Sequence, residues 1–208
     1  MRQRFFPPSR ILTERLLLRC YRPDDAADVR QAIIESLEHL RGFMLWAQVE
    51  PVSVEQKADL LRRFRVAFER GRSYQFGVFD RCGEKLLGGL GLHRRVGAGA
   101  GEIGYWIHAD HVGRGYATEA SAALVKTSFE HLGLHRLEIH CDPGNGPSAA
   151  IPRKLGFELQ TTIKDRISGP DATPRDTMIW SLTLASYAST PSAASAIEIQ
   201  DESGVRLV

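Results

Sequence analysis

The chain of 208 residues predicts an α+β fold, a mixed and mostly antiparallel central sheet flanked by helices. Three observations carry that expectation. Apolar residues recur at helical spacing in the first third, strand-like runs separated by turn signals fill the middle, and one strand leads to the next through an amphipathic helix. A strand–helix–strand passage of that kind makes one parallel pair in an otherwise antiparallel sheet.

The elements follow in order. Residues 16–20 form an early strand, and Pro23-Asp24 opens a helical pattern in which Val29, Ile33, Leu37 and Leu40 share a face. Ser53 followed by Gln56 has the form of a capping box, ahead of an apolar stripe of Leu60, Leu61, Phe64 and Phe68 that Gly71 stops. Residues 74–80 and 85–93 read as an antiparallel pair joined by the turn Arg81-Cys82-Gly83-Glu84. After the Gly/Ala-rich loop 96–101 comes a strand over 102–107, and a helix carrying Val125, Phe129 and Leu132 that ends near Gly133. A strand over 136–141, a short helix over 145–155 and closing strands over 157–164 and 177–184 complete the domain, taken as residues 1–187. Ser, Thr, Ala and Pro then dominate residues 188–208, which predicts a mobile tail.

The segment that carries most chemistry is Val112-Gly113-Arg114-Gly115-Tyr116-Ala117-Thr118-Glu119-Ala120. Two glycines and a small residue between strand and helix leave backbone N–H groups unpaired at a helix N-terminus, where the helix dipole adds partial positive charge. That arrangement suits a phosphate or pyrophosphate. Neither G-x-x-x-x-G-K-[ST] nor the strand-initial G-x-G-x-x-G is present, so the ATP-loop and dinucleotide readings fall away.

Gly115-x-Ala117 with its flanks resembles the pyrophosphate loop of the GNAT superfamily of acyl-CoA-dependent N-acetyltransferases, in the form of its RimJ/RimL-type branch. A second match downstream, Asn145-x-x-Ser148 followed by Lys154-Leu155-Gly156-Phe157, is similar to that family's N-x-x-S…K-L-G-F segment, and Thr13-Glu14-Arg15-Leu16-Leu17-Leu18-Arg19 is similar to its opening strand. The likeness spans roughly residues 11–184. It departs at Val112, where the family commonly has Gln or Arg, and at Pro152, inside the helix after Asn145.

The resemblance implies that the parallel strands splay apart and that the pantetheine arm of acetyl-CoA, as cosubstrate, enters the gap like an added strand. Tyr105, Trp106, Ile107 and His108 would pair with pantetheine through their backbones, Val112, Gly113, Arg114, Gly115, Tyr116, Ala117 and Thr118 would cradle the pyrophosphate, and Asn145, Ser148 and Lys154 would complete the cofactor site. Glu102 is implied as a base working through water and Ser148 as the donor toward sulfur. His93, His108 and His111 are rival bases, because imidazole titrates near neutral pH. A proline at position 152 removes the N–H that would bond the Ser148 carbonyl, leaving that oxygen for another donor.

The implied reaction is direct attack by a primary amine on the thioester in a ternary complex, the favoured acceptor being a protein or peptide N-terminal α-amine. Small-molecule amines such as antibiotics or polyamines are the alternative, and a non-catalytic acyl-CoA-binding module is a third reading. Residues 29–72 and the loop 165–175 are expected to shape the acceptor pocket. A formal charge of +2 argues against dedicated nucleic-acid binding. The opening residues lack a secretory apolar run and no stretch approaches the roughly 18 apolar residues of a membrane span, so the expectation is a cytoplasmic protein, with a homodimer compatible. Cys20, Cys82 and Cys141 contain no C-x-x-C pair and read as reduced, buried thiols, while His131, His135 and His140 lack a metal-binding spacing. No metal is expected.

Overall fold

The computed structural model describes residues 8–169 and 173–207. Nine strands form one sheet in the order β7-β8-β6-β5-β4-β3-β2-β1-β9. They are β1 Arg10–Leu12, β2 Leu16–Cys20, β3 Ser73–Asp80, β4 Leu86–His93, β5 Ala100–Ile107, β6 Arg136–Cys141, β7 Glu158–Ser168, β8 Pro174–Thr183 and β9 Glu198–Gln200. Every neighbouring pair is antiparallel except β5 and β6, which run parallel because helix α4, Tyr116–Glu130, carries the chain back between them.

Alternation along the strands gives the sheet two covered faces. On one, Leu90, Leu92, Ile103, Leu137, Ile139 and Trp180 bury against α4 and the short helix α5, Gly146–Lys154. On the other, Leu17, Tyr21, Phe79 and Leu86 bury against α1, Ala26–Glu35, α2, Leu37–Arg41, and α3, Val54–Glu69. At α3 the capping box forms as expected: the Gln56 N–H donates to Ser53 Oγ at 3.2 Å and the Ser53 N–H to Gln56 Oε1 at 2.9 Å. The pattern through Val29 and Leu40 breaks at Ser36 into two helices, and the Ser36 hydroxyl accepts the Ala109 N–H at 3.0 Å, tying the break to the end of β5.

Three expectations change. The closing hairpin is longer than expected, with β7 and β8 running into the supposed loop 165–175; residues 170–172 of that loop lie outside the described residues, as do 1–7 and 208. Residues 188–207 are docked rather than loose: β9 pairs with β1, Ile199 and Ser192 are buried, and Lys126 Nζ donates to the Ala193 carbonyl at 2.7 Å. The open edge of β1 supplies backbone partners whatever the tail's composition. Cys82, in the β3–β4 turn, is exposed, whereas Cys20 and Cys141 are buried.

Candidate active site

Gly113 and Gly115 both have left-handed backbone, φ +75° and +82°, which glycine adopts without the clash a Cβ brings. Gly115 is the N-cap of α4. No backbone N–H from Gly113 through Thr118 is donated to another group among the described residues; the first bonded amide is that of Glu119, to the Gly115 carbonyl at 3.0 Å. Six successive amides at a helix N-terminus are therefore available to an anion. A Cβ on Gly113 would meet nothing within 4 Å, so the approach is open.

The loop is fastened from behind. Glu119 takes the Thr13 hydroxyl at 2.5 Å, the Arg15 N–H at 3.0 Å and the Arg15 guanidinium at 2.6 Å, while Arg15 Nη1 donates to the Arg114 carbonyl at 3.0 Å. The same guanidinium lies 4.8 Å from the centre of the Tyr116 ring. A charged group bonded at three points stiffens the turn in the conformation that exposes its amides.

The parallel pairing of β5 and β6 ends at Ile103 and Ile139, although β5 continues to Ile107 and β6 to Cys141. Beyond that point the strands part. The His108 N–H donates to the Leu87 carbonyl at 2.9 Å, so by ladder alternation the backbone groups of Trp106 and His108 face β4, while those of Tyr105 and Ile107 face the opening. Of the four residues expected to offer their backbones to pantetheine, only Tyr105 and Ile107 turn theirs toward the opening. His108 is further occupied: its carbonyl accepts from His111, its Nε2 meets Glu35 at 2.8 Å, and its Nδ1 accepts the Asp110 N–H at 3.1 Å.

Across the opening, Asn145 is the N-cap of α5, its side chain accepting the Ser148 N–H at 3.1 Å. The Ser148 carbonyl, freed by Pro152, accepts the Tyr105 hydroxyl at 3.1 Å, and that hydroxyl also lies 3.2 Å from Ser148 Oγ. Burial raises the Tyr105 phenol well above its ordinary value, so it stays a donor. Lys154 is exposed at the far end of α5, where it complements the helix C-terminus.

The face of β5 opposite Tyr105 carries Glu102, Gly104 and Trp106. Glu102 is buried and held by the Arg95 fork at 2.7 and 2.6 Å. Burial alone would raise its carboxyl, but the bonds from Arg95 and the nearby His140 and His93 outweigh it and hold the group below the usual carboxylate range. Burial and the Arg95 charge lower the His93 imidazole, which keeps it neutral near pH 7. Its Nδ1 lies 3.3 Å from the Ser73 hydroxyl. On β6, His140 Nε2 meets Glu138 Oε2 at 2.7 Å, and its Nδ1 stands 3.6 Å from Glu102 Oε2.

A family model described as an acetyltransferase (GNAT) domain matches residues 15–158. The chain belongs to the GNAT acetyltransferase family. It is an N-acetyltransferase, as its relatives are named: it is 27% identical over 82% of its length, and 94% of the relative's, to the uncharacterized N-acetyltransferase YoaA of Bacillus subtilis. It is 25% identical to the [ribosomal protein uS5]-alanine N-acetyltransferase of Escherichia coli, over 87% of this chain and 94% of that one. Among solved structures, Mycobacterium smegmatis RimJ in complex with CoA-disulfide superposes with a TM-score of 0.73 at 25% identity, covering 89% of this chain and 90% of that one.

In this GNAT domain the loop residues Val112 to Thr118 fall together at one end of the opening between β5 and β6, and Tyr105, Asn145 and Ser148 line its sides. Val112 and Arg114 point to solvent; Arg114 contributes through its carbonyl to the Arg15 fastening. His111 is buried beside Tyr116 with neither ring nitrogen bonded, and burial lowers it, which makes it a poor base. No local pattern marks Thr13 and Arg15 as loop residues, because Glu119 lies more than a hundred positions away. His140 carries a readable signal: with Glu138 it forms an i, i+2 pair on one face of a strand.

Proposed function

We propose that this GNAT enzyme moves an acetyl group from acetyl-CoA to the N-terminal α-amine of a protein or peptide, in the cytoplasm. The run of six unpartnered amides from Gly113 to Thr118, opening onto the gap where Tyr105 and Ile107 present free backbone groups, carries the cofactor half of the reading. Acetyl-CoA would supply an activated thioester. The amides would bind its pyrophosphate, and Tyr105 and Ile107 would pair with the pantetheine amides by strand addition. Ile107 lies four positions beyond Ile103, about 13 Å at ~3.3 Å per residue, so an extended arm held there reaches toward the point where β5 and β6 close. The Tyr105 and Ser148 hydroxyls, 3.2 Å apart, would orient one another and hold a proton for the departing sulfur.

For the acceptor, support comes from chemistry and from the relative that acts on ribosomal protein uS5. A neutral amine is the nucleophile. An α-amine, with a pKa of about 7.7 to 8.0 against about 10.4 for lysine, is some hundredfold more abundant in neutral form at pH 7. A competition panel tests this: short peptides with a free N-terminus, N-terminally blocked lysine peptides, polyamines and aminoglycosides. Free N-termini should lead in kcat/KM by more than tenfold; preference for polyamines or aminoglycosides would overturn the acceptor assignment.

A further inference from the structure

We propose that His140 takes the proton from the acceptor amine, with Glu138 positioning its ring. This rests on the amine-acceptor reading above and names the group that makes the reaction run. His140 is the first residue of β6 beyond the paired segment, directly across from Gly104 at the point where the two strands part. Parallel register puts Glu102, Gly104, Glu138 and His140 on one face, away from Tyr105 and α5. That face is open at Gly104: a Cβ there would meet only His93 Nε2, at 3.8 Å. An amine arriving over Gly104 reaches the closed end of the gap from the side opposite Ser148, with His140 as its neighbour.

The tautomer follows from the bonding. A carboxylate only accepts, so the 2.7 Å contact with Glu138 Oε2 assigns the hydrogen to Nε2 and leaves Nδ1 with its lone pair. Nδ1 accepts a long contact from Arg166 Nη1 of β7 at 3.4 Å, which an arriving amine displaces, and Glu102 Oε2 of β5 stands 3.6 Å away. Arg95 forks onto Glu102 at 2.7 and 2.6 Å, Arg136 reaches Glu138 at 3.3 Å, and His93 faces the same space from β4. The side chain is 11% exposed, enough to touch a substrate and little enough to hold one orientation. Both Glu102 oxygens are taken by Arg95, and His108 holds bonds of 2.8 and 3.1 Å at its two nitrogens, whereas Nδ1 of His140 has only the long 3.4 Å contact from Arg166.

In the step, the amine nitrogen bonds to the acetyl carbon and the carbon–sulfur bond breaks, its electron pair leaving with sulfur. The amine proton passes to Nδ1, where the Glu102 and Glu138 carboxylates offset the new positive charge. A proton returned to sulfur through the Ser148 side of the gap completes the balance, and the imidazolium loses its proton to solvent.

The test uses the full chain with acetyl-CoA and a free-N-terminus peptide. His140→Gln should lower kcat by about a hundredfold to ten-thousandfold, with CoA affinity within threefold of the parent. Its pH–kcat/KM profile should lose the limb due to imidazole and keep only the ionisation of the amine. Added imidazole should partly restore His140→Ala. Glu138→Gln should slow turnover less and keep the limb. As an independent measurement, the parental enzyme should keep its ascending limb with a weakly basic amine that is neutral throughout the pH range. Near-parental kcat in His140→Gln, a reduced rate with an unchanged profile, or loss of the parental limb with the weakly basic amine each overturns the assignment alone. A parental enzyme inert toward every amine overturns the acceptor reading and this assignment together.

Discussion

Replacing Gly115 by valine attacks the pyrophosphate loop at its most constrained point. At φ +82° an L-residue costs about 1–2 kcal/mol, and a β-branched one sits at the upper end. The new Cβ would stand in ordinary contact, 3.4 Å, with Arg15 Nη2 of the guanidinium that fastens Glu119 and the Arg114 carbonyl, so the strain lies in the backbone. Rotating the Gly115 peptide relieves it and turns away the amides on either side. Two charge-assisted hydrogen bonds to phosphate, at about 1.5–3 kcal/mol each, would go, a loss of roughly a hundredfold to ten-thousandfold in affinity. Against micromolar binding, about 8 kcal/mol, CoA would then bind only between about 0.1 and 10 mM. Calorimetry with CoA, with pantetheine as the ligand lacking pyrophosphate, reads this directly: CoA affinity should collapse while the weaker pantetheine affinity holds. A folded Gly115→Val protein that binds CoA within threefold of the parent refutes the reasoning, and places the pyrophosphate elsewhere.

Three further outcomes follow from the site. Arg95→Ala should destabilise the protein by about 1–2 kcal/mol at pH 7, since the buried Glu102 carboxylate loses its fork while Arg95 itself is mostly exposed. Because Glu102 titrates lower folded than unfolded, that contribution is present above about pH 4.3 and is lost as pH falls through the folded value, so melting curves of parent and variant should converge in acid. Tyr105→Phe should cost about 1 kcal/mol by leaving the Ser148 carbonyl without its donor, and should slow turnover roughly tenfold without changing CoA affinity. Ser148→Ala should slow turnover equally at all pH values, and the double substitution should cost less than the product of the two single losses; strict additivity would mean the hydroxyls act independently.

What was legible in the sequence is what depends on neighbours along the chain. The turn at residues 81–84, the Ser53–Gln56 cap and the two-glycine turn ahead of a helix at Gly113 and Gly115 are local matters, and each appears where expected. The longer hairpin was hidden because Asp165 and Arg166, following Lys164, look like a loop. They stay in the strand region through an irregular register, with Asp165 at φ +49° and the Lys164–Asp176 ion pair at 2.5 Å bracing the twist. The docked tail was hidden for a different reason. Strand addition at β1 uses backbone groups, which every residue carries, so a Ser/Ala-rich composition says little about it.

The same division separates the two halves of the site. An anion loop is a property of one turn, so its residues are readable in order; a proton-transfer site is a property of register, and register between β4, β5 and β6 is settled by burial of Leu92, Ile103 and Ile139 on the opposite face. Sliding β6 by one residue would bury His140 and turn Ile139 toward the acceptor side. The packing that hides Ile139 is therefore what brings an imidazole beside Gly104 and sets Glu138 and Glu102 around it. Glu102 alone reads as a base from its place near the loop, but with Arg95 across both oxygens it becomes a fixed negative charge. Under the proposal above, its place is as a fixed negative charge beside His140 rather than as the group that takes a proton from the amine.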